Sequence, residues 1–526
     1  MALMPPSKAR QGPVVGKKIT NQGIFCSAAR FRQANKLHRI VKCDRKQAQP
    51  ARVSPGQKLE IETKKEHINM QLKLIRKNLG QTFGSSSNAN IPQGDVTTPA
   101  GRLRLKQRGL PVKLALLLAG LLVQVTLVSA QSQNVVVDWN RNLLVIVRTH
   151  GAQPATIHPT RSFAMMHAAI YDAVNAIDQT HEPYAAGVPH ASQSASQEAA
   201  AAAAAHEVLV QLYPAFQATL DAELQQSLSQ IPDGQPKTDG ISVGQTVGDL
   251  ILALRSNDGS SAPPIPYVFG NAPGDYQSTP PNFPPQPQFT HWSNVTPFAL
   301  EQANQFRPGP PPALDSHSYS DAFNEVKTLG IINGTVATAD QALTGRFWNG
   351  AIQNYWNEIT QTAVLTDGLS TAQSARLFAL VNFSLADAVI AFYDAKYIYN
   401  FWRPVTAIRQ ADTDNNPKTV ADPNWLPEVT NTTPDPSYPG AHAVISAAAS
   451  FVLNSVLHHD HFDFTVTSEV LPGTTRSFRS FSDAAEEATL SRIFAGVHFR
   501  FDLTTGERLG HNVADFVVDN FLTRVH

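Results

Sequence analysis

The chain has 526 residues, with 42 basic and 42 acidic side chains and no formal net charge. Both cysteines, Cys26 and Cys43, lie near the N-terminus, which excludes a disulfide framework and a cysteine-based zinc site from the remainder. The charges are distributed unevenly along the chain. Residues 1–109 hold 22 basic and 5 acidic side chains, whereas residues 110–526 hold 20 basic and 37 acidic ones. This asymmetry predicts a basic tail without a fold of its own, followed by a folded body.

A signal-peptide pattern occupies residues 110–130. Four basic residues within 102–108 precede the apolar run 114–128, and small residues ending at Ala130 form a cleavage site. The run is short for a bilayer span, although a buried helix or a true anchor is the alternative. Because signals begin chains, we expect residues 1–109 to reflect a start codon assigned too far upstream. The body is then secreted or periplasmic; a tail that binds nucleic acid has no motif in its favour.

Beyond about residue 135, apolar residues recur at helical spacing and strand-like alternation is scarce. The proline-rich stretch 262–313 is expected to be irregular and to wrap the surface. Past residue 131 no apolar run reaches about 18 residues, so we expect a soluble body without a stable membrane span. The pattern predicts an all-α helical bundle with little β structure over 131–526. The predicted helices are 161–174, 197–212, 220–231, 243–254, 318–329, 339–361, 371–400, 441–457, 480–497 and 508–522.

Two cations follow the longest of these helical patterns. Lys396 and Arg403 are seven residues apart, so we expect both to project from one helix face, with Pro404 ending the helix. A planar guanidinium and a mobile ammonium together suit a tetrahedral oxyanion. Taken alone, such a pair is more typical of a solvated face. Asp387 and Asp394, on the same helix, are likewise expected on a solvated face rather than as supporting partners.

A proline–glycine turn precedes the helix that begins near Ala441. Such a turn leaves free backbone N–H groups, which bind anions together with the helix dipole. His442 lies on the first helical turn, where the positive helix end should lower its pKa and suit it to acid–base chemistry near neutral pH. An incidental histidine beside a turn is the alternative.

Arg492 and His498 are six residues apart, so one anion could contact both if the helix ends near Gly496. Asp502, four residues further on, could accept a hydrogen bond from one ring nitrogen of His498. That contact would make the other nitrogen a better nucleophile or metal ligand. A surface arginine and a core histidine are the alternative reading of this segment.

The three segments occur in the order Lys-x6-Arg-Pro, Pro-x-x-His and Ser-Arg-x5-His. In this order they resemble the type 2 phosphatidic acid phosphatase and vanadium-dependent haloperoxidase superfamily, most closely its secreted bacterial haloperoxidase-like branch. The likeness extends to 401–409, to 295–298 with 305–308 and to the helix around His167. It therefore covers about 135–526, with the catalytic half in about 370–526.

The resemblance implies a helical bundle of the haloperoxidase and acid phosphatase type with one vanadate per chain. Lys396, Arg403 and Arg492 would hold the oxygens of vanadate or phosphate. His442 would be the acid–base residue. His498 would ligate vanadium, or would be the nucleophile of a phosphatase.

The middle motif departs from the family pattern, which is usually Pro-Ser-Gly-His. Gly440 stands in the place of the serine, and Ala441 in the place of the glycine whose backbone N–H would donate to the oxyanion. One lost neutral hydrogen bond is worth about 0.5–1.5 kcal/mol, so the change would weaken oxyanion affinity without abolishing the site.

Three functions remain open. The first is a vanadium-dependent haloperoxidase acting on hydrogen peroxide and halide, favoured because small soluble phosphatases of the superfamily are much shorter. The second is a soluble, acid phosphatase-like phosphomonoesterase that forms a phosphohistidine without vanadate. The third is a non-catalytic oxyanion-binding protein. Elsewhere, 458–461 is expected to be a solvated loop rather than a metal site, and His167 a core histidine.

Overall fold

A computed structural model describes residues 134–525. The predicted tail (1–109) and signal peptide (110–130) lie outside these described residues. Within 134–525 there are thirteen α-helices and one two-stranded antiparallel sheet, which confirms the all-α prediction. The helices are α1 (Val135–Arg148), α2 (Pro159–Asp178), α3 (Gln197–Leu212), α4 (Gln217–Ser229), α5 (Gln235–Arg255), α6 (His317–Leu329), α7 (Ala339–Phe347), α8 (Ile352–Thr366), α9 (Thr371–Tyr399), α10 (Pro404–Arg409), α11 (Ala441–Leu457), α12 (Phe481–Phe494) and α13 (Arg500–Asn520), and the strands are β1 (His461–Thr467) and β2 (Thr475–Ser480).

Helices α3 and α5 approach each other closely because small residues line their contact. A β-carbon at Gly244 of α5 would lie 2.4 Å from the carbonyl oxygen of Ala200 on α3, so this approach requires glycine. The alanine run 199–205 of α3 is buried, and α2 packs against α3, α5 and α9. The alanine-rich pattern therefore reflects close helix packing as well as helix propensity.

Helix α9 lies at the centre of the bundle and packs against α2, α11 and α13. Its length and mean hydropathy of 1.6 would suffice to cross a membrane, yet 94% of its most apolar window is buried inside the fold. Every residue from 377 to 396 is buried. A helix that is apolar all round is typical of a protein core, and this one carries the cation Lys396 into the interior at its C-terminal end.

Helices α11 and α13 also meet through small residues, and this contact positions the site. A β-carbon at Gly510 would lie 2.1 Å from the carbonyl oxygen of Val444. At the start of both helices, the Gly440 N–H donates to the carbonyl of Asp502 at 3.0 Å. The first turns of α11 and α13, which carry His442 and Asp502, are therefore held side by side.

Several elements differ from the prediction. Helices α1 and α10 were not in the predicted set, and α13 begins at Arg500 instead of residue 508. The single helix predicted over 339–361 is two helices, α7 and α8, because the chain breaks at Trp348 and Gly350. The carbonyl of Trp348 thereby accepts a hydrogen bond from His442 at 2.8 Å instead of serving a continuous helix. The β1–β2 hairpin was not predicted, although β1 alternates exposed and buried residues strictly. Its first residue, His461, belongs to the segment predicted as a loop.

The proline-rich stretch is irregular, as predicted, apart from a short 3-10 turn at Trp292–Asn294. The structure also finds no group of three or more histidine, cysteine or acidic side chains able to hold a metal ion within residues 134–525.

Candidate functional site

Lys396 lies on the last turn of α9 with its side chain fully buried. Its ammonium donates to the carbonyls of Pro436 and Ser437, the latter at 3.2 Å, and forms an ion pair with Asp435 at 2.9 Å. These three acceptors match the three N–H bonds of an ammonium. Burial lowers the pKa of Lys396 to about 8, against the opposing charge of Asp435, so the group is cationic at neutral pH.

Arg403 is not on the helix that carries Lys396, so the prediction of a shared helix face is wrong. Helix α9 ends at Tyr399 because Asn400 adopts the left-handed conformation with φ of 49°. Arg403 caps the start of α10, and Pro404 begins that helix at its first position. The two cations meet across a turn instead of along a helix.

The Arg403 guanidinium is buried, and each of its three nitrogens donates at least one hydrogen bond. Its Nε donates to the Asp435 carbonyl at 2.8 Å, and Nη2 donates to Asp435 Oδ1 at 2.6 Å. Its Nη1 donates to the Val497 carbonyl at 2.9 Å and to His498 Nε2 at 3.1 Å. Arg403 therefore joins the Asp435 loop to His498.

Asp435 is a site residue that sequence reasoning missed. Its Oδ1 is shared by Lys396 and Arg403, its Oδ2 accepts from Gln288 at 3.1 Å, and the residue is 3% exposed. Its position in the sequence could have drawn attention to it, because this acid lies four residues before Pro439 of the middle motif. Its partners could not be read from that position.

His442 lies on the first turn of α11, as predicted. Its Nε2 donates to the Trp348 carbonyl at 2.8 Å, so in a neutral ring Nδ1 is the unprotonated nitrogen. Burial, reinforced by the charge of Arg492, holds its pKa well below the ordinary value. The predicted direction is confirmed, but burial is the main cause. Gly440 offers no side-chain cap, so the first-turn N–H groups of Ala441 and His442 lack a side-chain acceptor in the described chain.

Arg492 lies near the end of α12 and is 4% exposed. Its Nη2 donates to Asn349 Oδ1 at 3.1 Å, whereas Nε and Nη1 are buried without any partner. Among residues 134–525, these are the only arginine or lysine nitrogens in that condition. Burial and the charge of Arg403 lower the pKa of Arg492 to about 9, so it is still a cation at neutral pH.

His498 follows the turn at Gly496, whose φ of 78° ends α12 as expected. Its Nδ1 donates to Asp502 Oδ2 at 3.0 Å, which confirms the predicted contact. The Ser437 hydroxyl and the Phe499 N–H donate to the same carboxylate oxygen at 2.6 and 3.0 Å. The ring therefore presents the lone pair of Nε2, which Arg403 contacts.

The pKa values of His498 and Asp502 reflect both their burial and the neighbouring cations. Burial lowers the pKa of His498 well below its ordinary value, and the charges of Arg403, Lys396 and Arg492 lower it further. Burial also raises the pKa of Asp502 to about 6, although hydrogen bonds from Ser437 and Phe499 oppose that change. Near neutral pH the site therefore combines neutral histidines with cations and carboxylates.

The donor set fits a tetrahedral oxyanion in part. Arg492 keeps two unpaired buried donors, and the start of α11 keeps free N–H groups. The Nε2 lone pair of His498 accepts a hydrogen bond from Arg403, which a ligand at that nitrogen would replace. Lys396 and Arg403, by contrast, already donate to Asp435. The readily available donors are therefore those of Arg492 and the α11 backbone.

Two acids predicted on a solvated face are buried instead. Asp387 accepts three backbone N–H bonds from residues 298–300, and Asp394 accepts two bonds from Arg307 at 2.6 and 2.7 Å. Both acids fasten the irregular segment to α9. His167 is a core histidine, as predicted: it is fully buried and bonded to Asn140 at 2.9 Å.

Comparisons with known proteins found similarity to vanadium chloroperoxidases. A family model described as the VCPO second helical-bundle domain matches residues 376–526. A vanadium chloroperoxidase from Curvularia inaequalis is 27% identical over 486 residues, covering 70% of this chain and 79% of that protein.

Solved structures extend the likeness. A bacterial vanadium-dependent iodoperoxidase superposes with a TM-score of 0.63 at 27% identity, covering 74% of this chain and 96% of that one. A bacterial vanadium-dependent chloroperoxidase superposes with a TM-score of 0.56 at 16% identity, over 74% and 96% of the two chains, and this match supports the fold alone. In sequence and in fold this chain is therefore similar to vanadium-dependent haloperoxidases, and its residues 376–526 match the second helical-bundle domain of that family.

Proposed function

We propose that this chain is a vanadium-dependent haloperoxidase that oxidises halide with hydrogen peroxide at a vanadate ligated by His498. The observation that carries the proposal is the His498–Asp502 contact at 3.0 Å, which leaves Nε2 unprotonated beside Arg403. A neutral imidazole nitrogen is a suitable ligand for a transition metal. The chloroperoxidase and iodoperoxidase relatives at 27% identity support this reaction class.

Each residue has a distinct role in this proposal. When bound, vanadate supplies a Lewis acid that activates peroxide toward halide while staying oxidised. Arg492, with its two unpaired donors, would hold oxyanion oxygens together with the Ala441 N–H. Lys396 and Arg403 would contribute positive charge, and Asp502 would keep the His498 Nδ1 protonated.

His442 is the proposed acid–base group. Its Nε2–H is held by the Trp348 carbonyl, so Nδ1 is the atom that can accept a proton from hydrogen peroxide. Its depressed pKa keeps the ring unprotonated at neutral pH and makes the resulting imidazolium a ready proton donor.

Halogenation and phosphate release, measured side by side, test the proposal. The purified protein would be loaded with orthovanadate and assayed for bromide- and peroxide-dependent halogenation of a phenol dye. We expect activity that falls at least a hundredfold in His498→Ala and persists in His167→Gln, a buried histidine outside the site. Phosphate release from an aryl phosphate without vanadate, in the absence of halogenation, would instead establish the phosphomonoesterase.

We also propose that the folded body is exported after cleavage near Ala130. The basic residues, apolar run and small residues of 102–130 support this proposal. N-terminal sequencing of protein recovered outside the cytoplasm should find a terminus near Gln131. A mature terminus near Met1 would contradict this cleavage.

A further inference from the structure

The charge of the site depends on Asp435, which the proposed chemistry does not use. Three cations, Lys396, Arg403 and Arg492, stand against the carboxylates of Asp435 and Asp502, which leaves one net positive charge while the histidines are neutral. The Asp435 carboxylate is paired with Lys396 and Arg403, so it competes with any bound oxyanion for these two cations.

We propose that Asp435 is a specificity-determining residue: a built-in counter-anion of Lys396 and Arg403 that weakens doubly charged oxyanions more than singly charged ones. The proposal rests on the proposed function only in that the site takes an oxyanion. Its basis is the shared Oδ1 of Asp435, 2.9 Å from the Lys396 ammonium and 2.6 Å from the Arg403 guanidinium.

The selectivity follows from Coulomb's law. The repulsion between a fixed carboxylate and a bound anion is proportional to the charge of the anion, so a dianion loses twice the free energy that a monoanion loses at the same place. In terms of dissociation constants, the factor for a dianion is the square of the factor for a monoanion. Burial of Asp435 at 3% exposure means that salt screens this repulsion weakly.

Asp435→Asn is the direct test, because it removes the charge while preserving shape and one acceptor oxygen. Binding would be measured by calorimetry with two unreactive tetrahedral probes, perchlorate as the monoanion and sulfate as the dianion. Neither probe requires vanadium or turnover. We expect perchlorate to bind roughly three- to tenfold more tightly and sulfate to gain roughly the square of that factor.

Two further variants separate charge from structural damage. Asp435→Glu keeps the charge and should keep the wild-type ratio of the two affinities. Asp258→Asn removes a buried carboxylate whose side-chain partners, Arg161 and Arg255 among them, include no motif residue, so it should lower stability without changing either affinity. If Asp435→Asn is too unstable for calorimetry, sulfate should raise its melting temperature more than that of the wild type.

The outcomes distinguish this inference from the function on which it rests. Wild-type binding of both probes with equal gains, or no gain, in Asp435→Asn would overturn the role of Asp435 and leave the oxyanion site intact. Failure of the wild type and of every variant to bind either probe would overturn both.

Discussion

Two buried clusters in this molecule have the same chemistry and different consequences. In the N-terminal half, Asp258 lies between Arg161 and Arg255, with Oδ2 at 2.7 and 3.1 Å from their Nε atoms. In the C-terminal half, Asp435 lies between Lys396 and Arg403 at similar distances. Each cluster places one carboxylate between two cations in the interior.

The difference lies in what surrounds each cluster. Arg255 donates its remaining N–H groups to the carbonyls of Thr296 and Pro297 and stacks on Phe298, so the N-terminal cluster is closed. The C-terminal cluster adjoins Arg492, whose Nε and Nη1 have no partner. A buried ion cluster alone is therefore weak evidence of function, whereas unpaired charged donors beside it mark a place for a ligand.

The largest expected effect is a loss of stability when Arg255 is removed from the N-terminal cluster. Arg255→Ala would leave Thr296, Pro297 and part of Asp258 without donors, and we expect it to reduce the free energy of unfolding by about 3–5 kcal/mol. Urea denaturation would measure this loss. Sulfate affinity of the folded fraction should be unchanged, and a selective loss of affinity would show that the two clusters are coupled.

Arg492→Gln, in contrast to Arg255→Ala, should change oxyanion affinity much more than stability. Because two of its donors have no protein partner, we expect a change of less than about 1 kcal/mol in the free energy of unfolding. Oxyanion affinity should fall about ten- to a hundredfold, through loss of charge-assisted hydrogen bonds. Calorimetry with phosphate would measure it, and a large loss of stability with intact affinity would contradict the comparison.

A buried histidine outside the site, His167, should make the stability of the fold depend on pH. Burial lowers the pKa of His167 to about 3, so the folded state resists a protonation that the unfolded chain accepts near pH 6.5. The stability this neutral ring contributes is present above that pH and is lost as pH falls toward about 3, by at most about 1.4 kcal/mol per pH unit. His167→Gln should flatten the dependence of unfolding free energy on pH between about 6 and 4. An unchanged slope would contradict a lowered pKa of His167 in the folded state.

The smallest effect is expected at Gly440, where the family serine is missing. Gly440→Ser would restore a hydroxyl donor and tighten phosphate binding about two- to tenfold. A β-carbon there would lie 3.0 Å from Leu503 Cδ2, so a modest loss of stability should accompany the gain. Gly440→Ala is the matched control because it adds the same β-carbon without the hydroxyl. Equal affinities of the two variants would exclude a role for the hydroxyl.

Sequence reasoning was most successful where the interactions are local. The start of α11 at Ala441 follows from a turn before small apolar residues, and the end of α12 before Gly496 follows from the left-handed glycine. It failed for Asp387 and Asp394, because helical spacing alone does not reveal which face of an entirely buried helix meets the irregular segment.

The sequence by itself determined the residue types of the site, their order along the chain and the helix ends that carry Lys396, His442 and Arg492. Tertiary structure decided which atoms meet: His442 with a carbonyl 94 residues away, Arg403 with His498 across 95 residues and with Asp435 across 32. Capping and turn preferences act over a few residues and can be read locally. Contacts at these separations depend on how closely α9, α11 and α13 pack, and only the folded core sets that distance.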